Sequence, residues 1–431
     1  MSDEPLRVLI VAEHASEKFG GEAILPFHYF RMLRQRGVDA YLIVHARTRD
    51  ELQMAFPEDL SRLRFVEDMP LQKVFFHLGE YFPRRIADIT FGLLNQFLTQ
   101  AAQRNLVKEL VTANTVVHQP IPVSPRFPSL MFNVGAPVLC GPMNGNMEYP
   151  PAFRQAESSL QRMIVAVGKA SSNLANQVLR GKREAAVLLV ANRRTAEALP
   201  PRARGRVVEL AENGVHLDRW QSASRLGAAL AQTHPSFLFM GRLVEWKALD
   251  LAIEAAARVP GAKLRIIGDG AMRRAWTEHA KRFNVSDRVE FLGWRSQQQC
   301  AEALACSTAL VLPSLFECGG AVVLEAMAAG RAVIATAWGG PVDYLDATCG
   351  YLIPPTSREA IVSSIAAAMV RLMESPALAH AMGQAGLARV SRHFTWEQKI
   401  ETMLGLYASA ASSANKSAAE ITEEAVAPDR A

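Results

Sequence analysis

Pro313-Ser-Leu-Phe-Glu-Cys-Gly-Gly-Ala-Val-Val-Leu-Glu-Ala-Met-Ala-Ala-Gly330 follows the apolar run Ala309 to Leu312. Together they spell a buried strand, a turn bearing Pro, Ser and Gly, and an Ala/Leu/Met-rich helix starting near Gly319–Gly320. Backbone N–H groups at a helix start lack partners and point toward anything anionic, so this one suits a phosphate. Glu325 lies five to six residues further in, about 8 Å along the axis at 1.5 Å per residue. That offset lets Glu325 meet a ribose while Glu317, in the turn, meets a second polyhydroxylated group. Two glutamates eight apart on a surface helix are otherwise simply solvated. What favours a ligand is the position just after a buried strand, where open α/β sheets bind. The arrangement suggests a nucleotide-sugar site.

Working outward, strand and helix patterns alternate over the whole chain, which implies doubly wound parallel sheets. Arg7 to Glu13 is a continuous apolar strand, the loop His14 to Gly21 leads to a helix over Glu22–Arg36 stopped by Gly37, and Val38–His45 is the next strand. Residues 71–112 are helical in period, with Phe75, Phe76, Phe82, Phe91 and Phe97 giving an apolar side. Val116–His118 and Pro137–Pro142 are strand ends, a basic, apolar-faced helical zone spans 157–181, and Glu184–Ala191 reads as a buried strand. After Asn213-Gly-Val the pattern restarts. Strands are expected at Ser236–Arg242, Lys263–Gly268, Arg288–Gly293, Ala309–Pro313, Ala332–Thr336 and Gly350–Ile353. Two halves follow: residues 1–205, completed by a C-terminal helix over 395–410, and residues 206–394. From Ala411 to Ala431 the chain is Ala/Ser/Glu-rich without large apolar residues and reads as a disordered tail.

Composition agrees. The 431 residues suffice for two cores, and 49% apolar with 21% charged residues describes a globular chain. No uninterrupted apolar run approaches the ~18 residues of a membrane span, and the acidic N-terminus running into a strand reads against a secretory signal. Cysteines 140, 300, 306, 318 and 349 form no Cys-x-x-Cys pair, so buried thiols in a reducing cytoplasm are expected rather than disulfides or zinc. No Asp-x-Asp occurs to hold a divalent metal on a diphosphate. Residues 151–210 hold eleven Lys/Arg against four acids. Such a strip beside apolar helical stretches fits either anionic lipid head groups or solvated helix faces. Nucleic acid is disfavoured, because no aromatics interleave with the charges.

Met240-Gly-Arg-Leu-Val-Glu-Trp-Lys-Ala-Leu-Asp250 places Gly241, Arg242 and Lys247 on a strand-to-helix loop. Two cations there clamp a diphosphate from the side opposite the Gly319–Gly320 helix start, unless both are merely solvated. Gly20–Gly21, after the first strand, permit close backbone approach to a ligand. Ile267-Gly-Asp-Gly270 reads as a tight turn rather than a phosphate loop, and Trp338-Gly-Gly-Pro-Val-Asp343 follows another strand end. His118, at a strand's carboxyl end, is either a satisfied structural residue or a hydrogen-bond partner for a sugar hydroxyl. Gly141-Pro-Met-Asn-Gly-Asn-Met-Glu148 suits an acceptor or its positioning.

These residues together resemble the retaining glycosyltransferases of family 4, of the bacterial polysaccharide type. The family's Glu-x7-Glu appears as Glu317–Glu325, its Gly-Arg-Leu-x-x-x-Lys-x-x-Asp as Gly241–Asp250 and its Asn-Gly-Val as Asn213–Val215. Its Gly-Gly-Pro loop is Gly339–Pro341 and its C-terminal Phe-Thr-Trp-Glu is Phe394–Glu397. The N-terminal half matches through Gly20–Gly21 and His118 only. Many members have Glu-Pro/Gly-Phe-Gly where this chain has Glu317-Cys-Gly-Gly, and Lys-Gly where it has Lys247-Ala248, which makes sugar identity less transferable.

The resemblance implies a GT-B fold, two Rossmann-like domains facing across a cleft, the first for the acceptor and the second for the donor. It implies a metal-independent, retaining hexosyl transfer, without cofactor, from a UDP- or GDP-sugar to a saccharide or lipid-linked saccharide. The context is exopolysaccharide or cell-surface glycan synthesis in the cytoplasm, peripheral on the inner face of the plasma membrane. Arg242 and Lys247 would stabilise the departing diphosphate, Glu317 hold sugar hydroxyls, Glu325 the ribose and His118 a hydroxyl near the reacting carbon. Gly20, Gly21, Gly241, Gly319 and Gly320 would line the donor. A nucleotide-sugar epimerase and a donor-binding subunit without turnover are the competing readings.

Overall fold

The computed structural model describes residues 4–18, 21–81, 92–156, 159–221 and 235–426. The chain divides into two compact units. Unit one comprises Met1–Asn146, Met163–Glu212 and Ile400–Ala431, and unit two Met147–Arg162 and Asn213–Lys399.

Unit one is built on seven strands: β1 (Arg7–Val11), β2 (Asp39–His45), β3 (Leu63–Val66), β4 (Thr115–Gln119), β5 (Val138–Met143), β6 (Val187–Val190) and β7 (Arg206–Glu209). They pair in parallel in the order β3-β2-β1-β4-β5-β6-β7. The middle strands are buried throughout because helices cover both faces of a parallel sheet. Leu9, Val11, Ile43, Val117, Leu188 and Val190 meet in one core cluster. The longer helices are α1 (Ile24–Gln35), α2 (Arg49–Ala55), α3 (Pro70–Glu80), α4 (Leu93–Leu110) and α5 (Ser159–Val178), whose first turn clusters with unit two. Helix α1 ends where Gly37 takes φ +73° and its N–H bonds Arg34 O, the left-handed stop that glycine allows.

Unit two holds β8 (Ser236–Met240), β9 (Lys263–Ile267), β10 (Val289–Gly293), β11 (Ala309–Leu312), β12 (Ala332–Thr336) and β13 (Gly350–Ile353). They pair in parallel in the order β10-β9-β8-β11-β12-β13. Its helices are α6 (Leu249–Ala257), α7 (Arg273–Arg282), α8 (Gln297–Ala305), α9 (Ala321–Ala328), α10 (Arg358–Glu374) and α11 (Pro376–His393). Serines start three of them. Ser296 and Gln299 form a capping box on α8, and Ser357 and Ser375 accept the first-turn N–H groups of α10 and α11. Among the described residues no single helix is long and apolar enough to cross a membrane.

Three expectations change. Residues 206–212 belong to unit one, because Arg206–Glu209 pairs with β6 as the seventh strand. This four-residue edge strand is mostly exposed and carries no apolar run to betray it. Residues 147–162, expected in the first half, cluster with unit two. Helix α12 (Trp396–Val426) continues well past Ala410, so the expected disorder from Ala411 is not what the structure shows up to Val426. Ala411 is buried, and the alanines that follow are the strongest helix formers, losing no side-chain entropy on ordering. Residues 427–431 lie outside the described residues.

Candidate active site

In unit two the strand order reverses at β8, which lies between β9 and β11. Loops leaving the carboxyl ends of strands at such a switch point diverge and open a crevice. The loop after β8 carries Arg242 and Lys247, and the loop after β11 carries Glu317. Three segments then lock together. Leu315 N–H donates to Trp246 O at 2.9 Å, joining the β8 and β11 loops, and Gly340 N–H donates to Glu317 O at 2.8 Å, joining the β12 loop. A Cβ on Gly339 would lie 2.0 Å from Glu317 O, and one on Gly340 would lie 2.1 Å from Gly319 O. Only glycine fits either position.

Lys247 Nζ donates to Glu317 Oε2 in a mostly buried ion pair, each side chain under one-seventh exposed. The expectation had these two side chains serving different parts of a ligand, and the structure brings them into direct contact. Next to Lys247, Ala248 sits at φ +47° and is 4% exposed. That left-handed turn is where the resembling family carries glycine, and alanine holds it under strain. Helix α9 starts at Gly320, φ +68°, with no side-chain cap on its first N–H groups. Asp250, by contrast, is turned away to Arg358 at 2.7 Å and so anchors α6 to α10.

Beside the pair lies a pocket of about 310 Å³ lined by Gly241, Arg242, Glu325, Trp220, Trp294, Arg295, Gln297 and Cys300, among others. Arg242 and Glu325 thus reach one cavity, as expected. Arg242 is exposed and holds no ion pair among the described residues. The Glu325 carboxyl is pushed up to about 7, mainly by burial, with Arg219 pulling the other way. Lys247 Cε lies 3.7 Å from where a Gly241 Cβ would stand, so the pocket and the ion pair adjoin. Gly268 packs under the β8 loop, where a Cβ would lie 1.9 Å from Gly241 O, so the Gly-Asp-Gly stretch makes a tight packing turn, and Gly268 and Asp269 also line this pocket. Trp220, Trp294, Arg295, Gln297 and Cys300 were not anticipated. Trp294, 74% exposed just beyond β10, was the legible signal: a large aromatic immediately past a strand end.

Unit one corrects one expectation. His118 is fully buried in β4, its Nε2–H donating to Gly141 O at 2.7 Å while Nδ1 accepts from the Tyr407 hydroxyl at 2.7 Å. Tyr29 packs edge-on against its ring at 4.7 Å. Burial lowers its pKa to about 4, so the ring stays neutral. Both nitrogens are spent on the protein, and none is left for a sugar hydroxyl: His118 is the satisfied structural histidine. Gly20 lies outside the described residues. Gly21 takes φ +58° with open space where a Cβ would be. The loop before them is held by Glu51, which accepts from Ser16 Oγ at 2.8 Å and from the Glu17 and Lys18 N–H groups at 2.9 and 3.2 Å.

The Gly141–Glu148 stretch is tied down rather than open. In unit one Asn144 donates to Glu212 at 2.8 Å and Asn146 to Arg194 O at 3.2 Å. In unit two the Trp338 indole donates to Glu148 O at 2.8 Å, and Tyr149 packs on Phe316, the neighbour of Glu317, at 5.5 Å.

Residues 223–389 match the family model of glycosyl transferases group 1. The chain is 29% identical over 213 residues to a D-inositol 3-phosphate glycosyltransferase of Mycobacteroides abscessus, covering 46% of each. It is 28% identical over 209 residues to a glycogen synthase of Mycobacterium tuberculosis, covering 47% of this chain and 49% of that one. The match thus spans about half the length of these curated relatives. Among solved structures, Anabaena HepE in complex with UDP superposes with a TM-score of 0.66 at 15% identity, covering 94% of this chain and 100% of that one. This likeness shows the GT-B fold. Residues 223–389, the part that carries the Lys247–Glu317 pair and the Arg242–Glu325 pocket, are thus similar to glycosyl transferases group 1.

Proposed function

We propose that this protein is a retaining glycosyltransferase that moves a hexose from a nucleoside-diphosphate sugar to a saccharide or lipid-linked saccharide. The observation that carries this is the Arg242–Glu325 pocket lying against the Lys247–Glu317 pair. A carboxylate in a pocket flanked by tryptophans suits a ribose and its base, and the cations beside it suit the diphosphate. HepE's complex with UDP makes a UDP-sugar the first donor to try, ahead of GDP-sugars.

In this reading the diphosphate sits between Arg242, Lys247 and the uncapped start of α9, which stabilise the charge that grows as the anomeric bond breaks. Glu317, freed from Lys247 or sharing it, takes the donor sugar's hydroxyls. The acceptor attacks from the face the diphosphate leaves, which retains configuration, and the leaving oxygen takes the acceptor's proton. His118 has no part in these steps. The cations supply what a metal would otherwise supply, so turnover is expected to survive chelation. The basic strip over residues 151–210 supports work at the inner face of the plasma membrane, in cell-surface glycan synthesis.

Calorimetry with UDP and GDP, followed by sugar release from the matching donors with EDTA present, tests this. Binding of one nucleotide with release of its sugar, and transfer at retained anomeric configuration by NMR, is the expected result. Label from heavy water entering the sugar ring would instead indicate an epimerase, and binding without any release or transfer would indicate a donor-binding subunit.

A further inference from the structure

Asn213–Val215 and Phe394–Glu397 lie far apart in sequence, and unit two clasps them together. Val215 and Thr395 form a parallel bridge, in which Val215 N–H donates to Phe394 O at 3.0 Å and Trp396 N–H donates to Val215 O at 3.2 Å. A Cβ on Gly214 would lie 3.2 Å from the Trp396 ring, so the indole seats directly on the backbone there. His216 stacks on the same indole at 6.2 Å, with Nδ1 3.4 Å from the Glu397 carboxylate, and Asn213 donates to the Tyr344 hydroxyl at 3.2 Å.

The clasp fixes the backbone that leads into a short helical turn over residues 217–221. Trp220 on that turn is 4% exposed and forms part of the wall of the pocket that Glu325 also lines. Its neighbour Arg219 is half-buried, and its charge acts on the Glu325 carboxyl. Burial drives that carboxyl toward its neutral form. Among the described residues Arg219 is the one cation that pulls it back, although Arg242 and Arg295 line the same pocket. Asp269 and the Cys300 thiol are the other titratable groups there, and neither offers a positive charge. The ionisation state decides what Glu325 can hold. A carboxylate accepts from two neighbouring hydroxyls at once, whereas a neutral carboxyl has given part of that capacity to its own proton.

We propose that Arg219 is a positioning residue for the donor: placed by the clasp of Asn213–Val215 on Thr395–Glu397, it supplies the counter-charge that lets Glu325 meet the ribose diol as a carboxylate. Its role rests on the nucleotide-sugar reading only for the ligand.

Calorimetry on the full chain identifies which of UDP and GDP binds better, and that nucleotide is then titrated at pH 7 and pH 9. Arg219→Gln should weaken binding about 5-fold at pH 7 and less than about twofold at pH 9, where Glu325 ionises unaided. Arg219→Lys keeps the charge and should restore most of the affinity. In the Glu325→Gln background Arg219→Gln should add no further loss, the mark of one residue acting through another. A loss of equal size at both pH values and in both backgrounds overturns the proposal in favour of a direct phosphate contact or a merely structural role. Unchanged binding by Arg219→Gln overturns it as well. If neither nucleotide binds the unaltered chain, the donor reading fails, and urea titrations still decide the charge pair. Glu325 titrates higher folded than unfolded, so its stabilising contribution fades as pH rises through about 7. In Arg219→Gln that fade should extend to higher pH, and the same profile in both chains overturns the proposal.

Discussion

His118 in the first unit and Glu325 in the second are both titratable side chains whose charged form burial disfavours, the histidine brought down to about 4 and the glutamate up to about 7. Their surroundings differ. His118 has both nitrogens bonded by the protein and is fully buried, whereas Glu325 lines a cavity of about 310 Å³. A polar group already satisfied contributes rigidity. One that burial has desolvated beside an empty space is poised for a ligand, because a hydroxyl arriving there repays the lost hydration.

The sharpest way to break this contrast is on the cationic side of the second site. Arg242→Ala should lower turnover by about 10²–10³-fold with an unchanged melting temperature, since its side chain is exposed and holds no ion pair among the described residues. Lys247→Ala should cost a similar factor and also lower the melting temperature, because Glu317 is left buried without its partner. Normal sugar release by both variants would remove the diphosphate clamp.

Next in size is the histidine. His118→Ala should destabilise by about 2–3 kcal/mol, from the void and the two orphaned partners, and Tyr407→Phe by about 1 kcal/mol. Turnover of the folded fraction should stay within about twofold, by the same principle that satisfied core groups act through stability. A 10²-fold loss of turnover at unchanged stability would return His118 to the catalytic residues.

Glu325 gives a smaller and pH-dependent effect. Its carboxyl titrates higher in the folded chain than unfolded, so its contribution to stability is fully present below pH about 4.5 and is lost as pH rises through about 7. Glu325→Gln should flatten that decline in urea titrations. Ribose hydroxyls favour the ionised carboxylate, so nucleoside diphosphate affinity should rise about 5- to 10-fold between pH 6 and 8 in the unaltered chain and by less in the glutamine variant. An identical pH profile in the two would detach Glu325 from the ligand. Smallest is Ala248→Gly, which should stabilise by about 0.5–1 kcal/mol by relieving the left-handed backbone.

Much of the second unit was legible because its strands are continuous apolar runs between glycines and prolines. Ala332–Thr336 and Gly350–Ile353 fall where the sequence puts them. The two edge strands of the first unit were not: Leu63–Val66 and Arg206–Glu209 are only four residues long, and the second is mostly exposed. The motif residues Arg242, Lys247, Glu317 and Glu325 converge because all four ride on loops or helix starts at one end of one sheet. His118 could not be judged from its neighbours in sequence, since its two partners lie 23 and 289 positions away. The pocket's other wall was missed for a similar reason: Trp294, Arg295 and Cys300 follow β10, a strand that carries no motif.

The backbone contact of Gly339 and Gly340 with the carbonyls of Glu317 and Gly319 leaves an engineer little freedom on that side. Any side chain added there would push the β11 and β12 loops apart and take Glu317 with them. Libraries meant to change which donor is accepted should therefore leave that seam untouched and diversify the opposite rim, at Trp294, Arg295 and Gln297, where side chains already face open space and replacement disturbs no neighbour's main chain.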